Sequence, residues 1–161
     1  LELWNIRAVP GSMHGEEKVK ILENTFSRIM KGSQTPCILT GDFNSPDREL
    51  ADGTTIPWRH NKEGDVAKRW VEAELDILRG LEDKGMVDVF RHCHGYGDLD
   101  MLDVSHATQT DDPLAVPPEE VQGKRFDHII ASDELNPVDC YYDQEGFGCS
   151  DHAPIIAEFG L

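Results

Sequence analysis

The stretch 37–46 combines a short apolar run with one carboxylate and one amide. Cys37–Leu39 is predicted to be a buried strand that stops near Gly41. Asp42 and Asn44 follow, and because side chains alternate along an extended chain, both are predicted to point the same way. Such a pair at a strand end could serve a chemical site, although Asp and Asn after a glycine are equally common in turns.

Two later segments place further ionisable side chains beside apolar runs. Asp127 lies inside the run 126–130, and the adjacent Asp151 and His152 directly precede the run that begins at Ala153. Burying ionisable groups costs free energy unless they are paired or bound to metal. Three such strand ends in a chain of 161 residues therefore indicate one shared site.

These three segments also resemble the motifs of a known family. The segments 41–44 (Gly-Asp-Phe-Asn), 125–130 (Arg-Phe-Asp-His-Ile-Ile) and 150–154 (Ser-Asp-His-Ala-Pro) are similar, in the same order, to the last three motifs of the endonuclease/exonuclease/phosphatase family. This family comprises metal-dependent phosphodiesterases related to deoxyribonuclease I. The resemblance implies an α/β fold in which a two-layer β-sandwich is flanked by helices. Residues 1–161 would form one domain that corresponds to roughly the carboxyl-terminal half of a family member.

The resemblance also implies a role for each site residue. Asp42 would orient and deprotonate the attacking water or bind a metal ion, and Asn44 would hold that water and a phosphate oxygen. Asp151 would be a metal ligand, His152 would donate to the phosphate, and Asp127 would fix the ring of His152. Mg²⁺ or Mn²⁺ suits a site built from carboxylate and amide oxygens.

Two positions depart from the family pattern. Arg7 stands where the family often has a His, and its guanidinium would still suit a phosphate. Alternatively, Trp4-Asn5-Ile6 imitates the first family motif, which carries a metal-site Asn, although the distance to Asp42 is short for that. Ser105 and His106 stand where a Ser-Trp pair is common near the substrate, which puts aromatic stacking on a base in doubt.

The glutamate motif that supplies the principal metal ligand of the family does not occur in this sequence. Half of a β-sandwich would also leave one inner sheet face bare, as a larger apolar patch than soluble monomers tolerate. The sequence therefore predicts either an amino-terminal segment beyond these residues or a homodimer that pairs through this face.

The composition constrains the substrate. Asp and Glu number 31 against 15 Lys and Arg, for a formal net charge of −16. This charge repels polyanions and argues against loose nucleic-acid binding. The charge is consistent with a small phosphorylated substrate, or with a halophilic source whose salt screens it. The four cysteines show no C-x-x-C pairing and no zinc spacing, which indicates a reducing cytoplasm. The sequence has no apolar run of about 18 residues, so no membrane span is predicted.

The leading interpretation is a metal-dependent phosphodiester hydrolase, nuclease-like, that acts on nucleic acid. The alternatives are a lipid or sugar phosphatase of the same family, and a non-catalytic fragment that binds phosphorylated partners. A degenerate copy has little reason to keep five motif residues together, which favours an enzyme. The five are Asp42, Asn44, Asp127, Asp151 and His152.

The apolar spacing predicts the elements that would position these residues. Strands are predicted at 1–9, 37–40, 86–90, 101–104, 125–131, around 141–142 and at 155–159, helices at 16–31 and 66–84, and a loop at 46–62.

Overall fold

Ten strands and three α-helices make up the computed structural model, which describes residues 1–12, 14–32, 35–97, 104–107 and 123–160. The strands are β1 (Glu2–Arg7), β2 (Cys37–Asp42), β3 (Arg48–Glu49), β4 (Thr55–Ile56), β5 (Met86–Asp88), β6 (His106–Ala107), β7 (Gly123–Lys124), β8 (Asp127–Ser132), β9 (Pro137–Tyr142) and β10 (Ile155–Phe159). The helices are α1 (Gly15–Lys31), α2 (Asp65–Leu78) and α3 (Val89–His94). Among the described residues, no helix has the length and apolar character needed to cross a membrane.

The main sheet has the strand order β1–β2–β8–β5. Strands β1 and β2 are parallel and joined through α1, whereas β8 runs antiparallel to both of its neighbours. The register pairs Arg7 with Asp42 and Asp42 with Asp127. Three predicted site residues therefore lie in one row across the end of the sheet.

Helices α1 and α2 cover one face of this sheet. Their apolar stripes pack on Leu39 of β2 and Ile130 of β8 in the larger core cluster. Acidic residues lie in the first turn of α1 and basic residues in its last turn, as the helix dipole favours. Arg69 of α2 also binds Glu16 and Glu23 of α1, which ties the two helices together.

The hairpin β9–β10 and α3 pack on the opposite face. A second core cluster joins Cys140 and Tyr142 of β9 to Ile129 and Ala131 of β8. The result is the predicted α/β architecture of two sheet layers with helices outside. This face is less covered at the edge strand β1, where Leu3 is 69% exposed beside the half-buried Ile38.

Several predicted boundaries were wrong for local reasons. The predicted helix 66–84 ends at Leu78, and after Arg79 the chain continues as a 3₁₀ helix that begins at Gly80. Glycine disfavours the interior of an α-helix, and Gly80 packs close to the ring of Phe26. The predicted strand 86–90 ends at Asp88, whose carboxylate accepts from the N–H of Arg91 and caps α3.

Three further predictions concern loops and strand ends. The predicted loop 46–62 contains the short hairpin β3–β4. Strand β2 continues through Gly41 to Asp42 instead of stopping at residue 40. The predicted strand 101–104 lies outside the described residues except for Val104.

Candidate active site

The end of β2 brings Asp42 to the centre of the candidate site. Gly41 adopts φ +136°, and a Cβ atom at this position would lie 1.9 Å from the Ile6 carbonyl oxygen, so a side chain is excluded here. Arg7 lies beside Asp42 on β1, with Nε 3.9 Å from Asp42 Oδ2, and its side chain is 82% exposed. Arg7 therefore lies at the rim of the site, where a substrate could reach it.

Asn44 folds back onto Asp42. Its backbone N–H donates to Asp42 Oδ1 at 2.9 Å, and its side-chain Nδ2 donates to Asp42 Oδ2 at 3.0 Å and to the Ala8 carbonyl at 2.8 Å. The backbone has φ 50°, which Asn tolerates better than most residues. The turn after β2 therefore also forms part of the candidate site, because it holds the Asn44 amide against the Asp42 carboxylate.

His152 and Asp127 form a hydrogen-bonded pair. His152 Nδ1 lies 2.7 Å from Asp127 Oδ2, and this bond raises the pKa of His152 against the opposing effect of burial. The Ser105 hydroxyl accepts from the N–H groups of Phe126 and Asp127 at 2.8 and 2.9 Å. The backbone of Asp127 is therefore fixed, and Nδ1 of the imidazole carries a hydrogen directed at the carboxylate.

A metal ion would fit beside this pair. One ligand atom from each of Asp42, Asp127 and His152 lies within 4.8 Å of the others. Burial raises the pKa of Asp42, and the charge of Asp127 raises it further. Two partly buried carboxylates at this distance repel each other, and a divalent cation would relieve that repulsion. The two carboxylates therefore fit a divalent cation that prefers oxygen ligands.

The pair predicts a pH-dependent contribution to stability. Because the pKa of His152 is raised in the folded state, its contribution is complete below the ordinary value of 6.5 and is lost as pH rises through the raised pKa. Asp127→Asn should therefore lower the free energy of unfolding by about 1 kcal/mol more at about pH 5.5 than at about pH 9. Urea unfolding of both proteins at the two pH values measures this, and an equal loss at both would contradict the pairing.

Asp151 lies on the other side of His152. Its carboxylate is 76% exposed, and Oδ2 lies 3.8 Å from Nε2 of His106. Adjacent residues in extended chain point in opposite directions, so His152 faces Asp127 and Asp151 faces outward. The structure thus brings Asp42, Asn44, Asp127 and His152 together, with Arg7 at the rim and Asp151 grouped with His106.

A buried ion pair that the sequence interpretation missed supports Asn44 from below. Lys18 and Glu74 are 1% and 0% exposed, with Nζ 2.6 Å from Oε1. Lys18 Nζ also donates to the Asn44 carbonyl at 2.8 Å and to the Ser45 hydroxyl at 2.7 Å, and Trp58 Nε1 donates to the same carbonyl at 3.0 Å. A signal for this pair exists, because each charge interrupts the apolar stripe of its helix.

A second buried network anchors the segment after Asn44. Arg125 contacts Asp88 of β5, and its Nε lies 3.2 Å from Glu49 Oε2. The ring of His128 contacts Arg125 through Nδ1, and its Nε2 lies 2.9 Å from the Ser45 carbonyl oxygen. Asp88 of β5 therefore has a structural role.

Three solved structures show what the fold resembles. The 3′ phosphatase NExo from Neisseria, bound to product DNA hairpin, aligns with 99% of this chain and 61% of its own at 20% identity and TM-score 0.60. The catalytic domain of Xenopus laevis APE2 aligns over 97% of this chain and 47% of its own at 19% identity and TM-score 0.61. The AP endonuclease LMAP from Leishmania major aligns over 92% of this chain and 45% of its own at 16% identity and TM-score 0.58.

These alignments establish the fold. The chain has an endonuclease/exonuclease/phosphatase-type, deoxyribonuclease I-like fold, and it spans between 45% and 61% of the length of these structures. The sequence matches no protein-family model and no curated protein at a significant level.

Proposed function

We propose that this chain carries the hydrolytic centre of a divalent-metal-dependent phosphodiesterase that acts on nucleic acid. The observation that supports this most is the convergence of Asp42, Asn44, Asp127 and His152 at one end of the main sheet. The deoxyribonuclease I-like fold and the identity of its structural neighbours, two of them AP endonucleases or their relatives and one a 3′ phosphatase bound to DNA, add to it.

The hydrogen bonds define what each residue does in this proposal. His152 donates Nδ1–H to Asp127, so its Nε2 is available to the substrate, and the raised pKa favours the protonated ring, which can donate to a phosphate oxygen. Asp42 accepts a proton from the attacking water, and its raised pKa makes it a better base than an ordinary carboxylate. Asn44 positions water or phosphate beside it.

The motifs lead us to propose Asp151 as a protein ligand of the metal, with Asp42 as a second ligand where it does not act as the base. In the structure, Asp42 and Asp151 belong to two groups of potential ligands that share His152. Mg²⁺ or Mn²⁺ bound there would supply positive charge that stabilises the charge developing on the phosphate. Arg7, exposed at the rim, is proposed to bind a non-bridging phosphate oxygen. These roles account for every candidate residue that the motifs predict.

The acidic surface supports a second candidate. A net charge of −16 disfavours long polyanions, so a lipid or sugar phosphate is the alternative substrate, and a non-catalytic phosphate-binding fragment is the alternative without chemistry. Parallel assays on plasmid DNA, on a 3′-phosphorylated oligonucleotide and on inositol and sugar phosphates separate these proposals. Cleavage of DNA alone supports the first, and release of phosphate from the small substrates alone overturns it.

The exposed part of the sheet face suggests a partner. Leu3 of the edge strand β1 is 69% exposed, and Leu1, just before this strand, is 74% exposed. The chain also spans only about half the length of its structural neighbours. We propose that an amino-terminal segment or a second copy of this chain covers this face.

The four cysteines of the chain are free, which supports the proposal of a cytoplasmic location.

The metal proposal predicts ligand-dependent stability. Millimolar Mg²⁺ or Mn²⁺ should raise the melting temperature, because an ion at about 100 times its Kd adds about 2.7 kcal/mol to the free energy of unfolding. Differential scanning fluorimetry with and without the ion measures the shift.

Asp42→Asn supplies the control for that measurement. This variant removes one anionic ligand and should lose most of the shift. A shift of equal size in both proteins would place the ion elsewhere and contradict the proposed site.

A further inference from the structure

A second imidazole, that of His106, lies beside the candidate site with no role in the chemistry proposed above. Its ring packs against Phe126 with centroids 5.1 Å apart and meets the edge of the His152 ring at 4.8 Å. A backbone bridge also joins His106 to His152. The ring is therefore held by packing and by the backbone next to a residue of the site.

Hydrogen bonding within the fold does not account for this imidazole. Among the described residues, the buried Nδ1 of His106 has no hydrogen-bond partner, and the side chain is 19% exposed. Nε2 is directed towards Asp151, 3.8 Å from Oδ2, beyond a normal hydrogen bond.

The surrounding ligands suit a transition metal. One ligand atom from each of His106, Asp151 and His152 lies within 4.8 Å of the others. A tetrahedral Zn²⁺ with bonds of about 2.0–2.2 Å needs ligand atoms about 3.4 Å apart, so the site must contract slightly. The Asp151 carboxylate, 76% exposed, has the freedom to rotate inwards. Two imidazoles and one carboxylate favour Zn²⁺ over Mg²⁺, which prefers oxygen ligands.

We propose that His106, Asp151 and His152 form a second metal site that takes Zn²⁺ or a similar transition-metal ion and inhibits hydrolysis when it is filled. The ion would occupy the nitrogen of His152 that the substrate needs and would also engage Asp151, the carboxylate proposed for the activating metal. The inhibition rests on the proposed function, whereas the binding site rests on the three side chains alone.

The binding experiment uses Zn²⁺ competition with a chromophoric chelator in a large excess of Mg²⁺, which fills oxygen-rich sites. His106→Phe keeps a ring against Phe126 and removes both nitrogens, and His106→Gln is the second variant in case the first misfolds. His92→Phe, which removes a 41% exposed imidazole on α3, is the matched control. Both His106 variants should bind Zn²⁺ at least about tenfold more weakly than the parent, and the control should match the parent. Equal affinity in the parent and the His106 variants would overturn the site.

The activity experiment separates the two proposals. His106→Phe should hydrolyse substrate at the parental rate with Mg²⁺ and should require at least about tenfold more Zn²⁺ for half-inhibition. Equal inhibition of both proteins by Zn²⁺ would overturn the inhibitory site and leave the proposed function standing. Zinc binding that depends on His106 in a chain without hydrolytic activity would support the site and contradict the proposed function.

Discussion

His152→Gln should lower the rate of metal-dependent phosphodiester hydrolysis by about 10²–10⁴-fold, the range for loss of a positioned proton donor. Nδ1 of the imidazole lies 2.7 Å from Asp127 Oδ2, and that hydrogen bond raises the pKa of His152 and so favours the protonated ring. Gln can retain a hydrogen bond to the carboxylate but has no proton to transfer. The rate constant on a chromogenic bis-phosphodiester, measured at saturating Mg²⁺ or Mn²⁺, gives the result.

The pH profile distinguishes proton donation from a general loss of structure. The parental rate should fall as pH rises through the raised pKa of His152, and this fall should disappear in His152→Gln. His92→Gln changes an imidazole outside the site and should leave both rate and profile unchanged. A His152→Gln enzyme that retains the parental rate would show that another group donates to the phosphate.

Lys18→Met should lower the free energy of unfolding by about 3–5 kcal/mol, because it leaves Glu74 buried without its counterion. Glu74 is 0% exposed and would keep the N–H donors of Trp58 and Trp70, but no cation. The Asn44 carbonyl would also lose one of its two donors. Urea unfolding monitored by tryptophan fluorescence measures the change.

Two further variants make this test specific. Lys20→Met lies on the same helix, where the ammonium is 58% exposed and pairs with Glu16, and it should cost less than about 0.5 kcal/mol. Adding Glu74→Gln to Lys18→Met removes the stranded charge and keeps an acceptor oxygen for one of the two tryptophan N–H groups, so it should recover part of the loss. A cost below about 1 kcal/mol for Lys18→Met alone would contradict the buried pair.

Several of the longer strands follow from the sequence, because an apolar run marks each of them locally. The final strand, β10, and the amphipathic helix α1 lie at or within one residue of their predicted bounds. Predicted element boundaries were wrong where one side-chain hydrogen bond sets the end of an element. An example is Asp88, whose carboxylate caps the start of α3. Such a bond gives no periodic signal, so periodicity cannot reveal it.

The site was predictable in part for the same reason. Asp42 ends β2 and Asp127 begins β8, and the register of the sheet pairs them. Asn44 and His152 lie just outside the strands and join this pair through side-chain hydrogen bonds. Lys18 and Glu74 come from two helices far apart in the chain, and their pairing depends on how the helices pack. The position of His106 likewise depends on the bridge to His152, which no local pattern encodes.

The central claim is that Asp42 and its neighbours hydrolyse a phosphodiester with a divalent ion. Its most direct test is cleavage of a bis-phosphodiester by this chain and by the full-length product of its gene, each as the parent and as Asp42→Asn, with Mg²⁺, Mn²⁺ or a chelator. We predict cleavage that the chelator abolishes and that Asp42→Asn lowers by at least about 10²-fold. Metal-dependent cleavage at the parental rate in Asp42→Asn, or no cleavage by any parental protein, would contradict the claim.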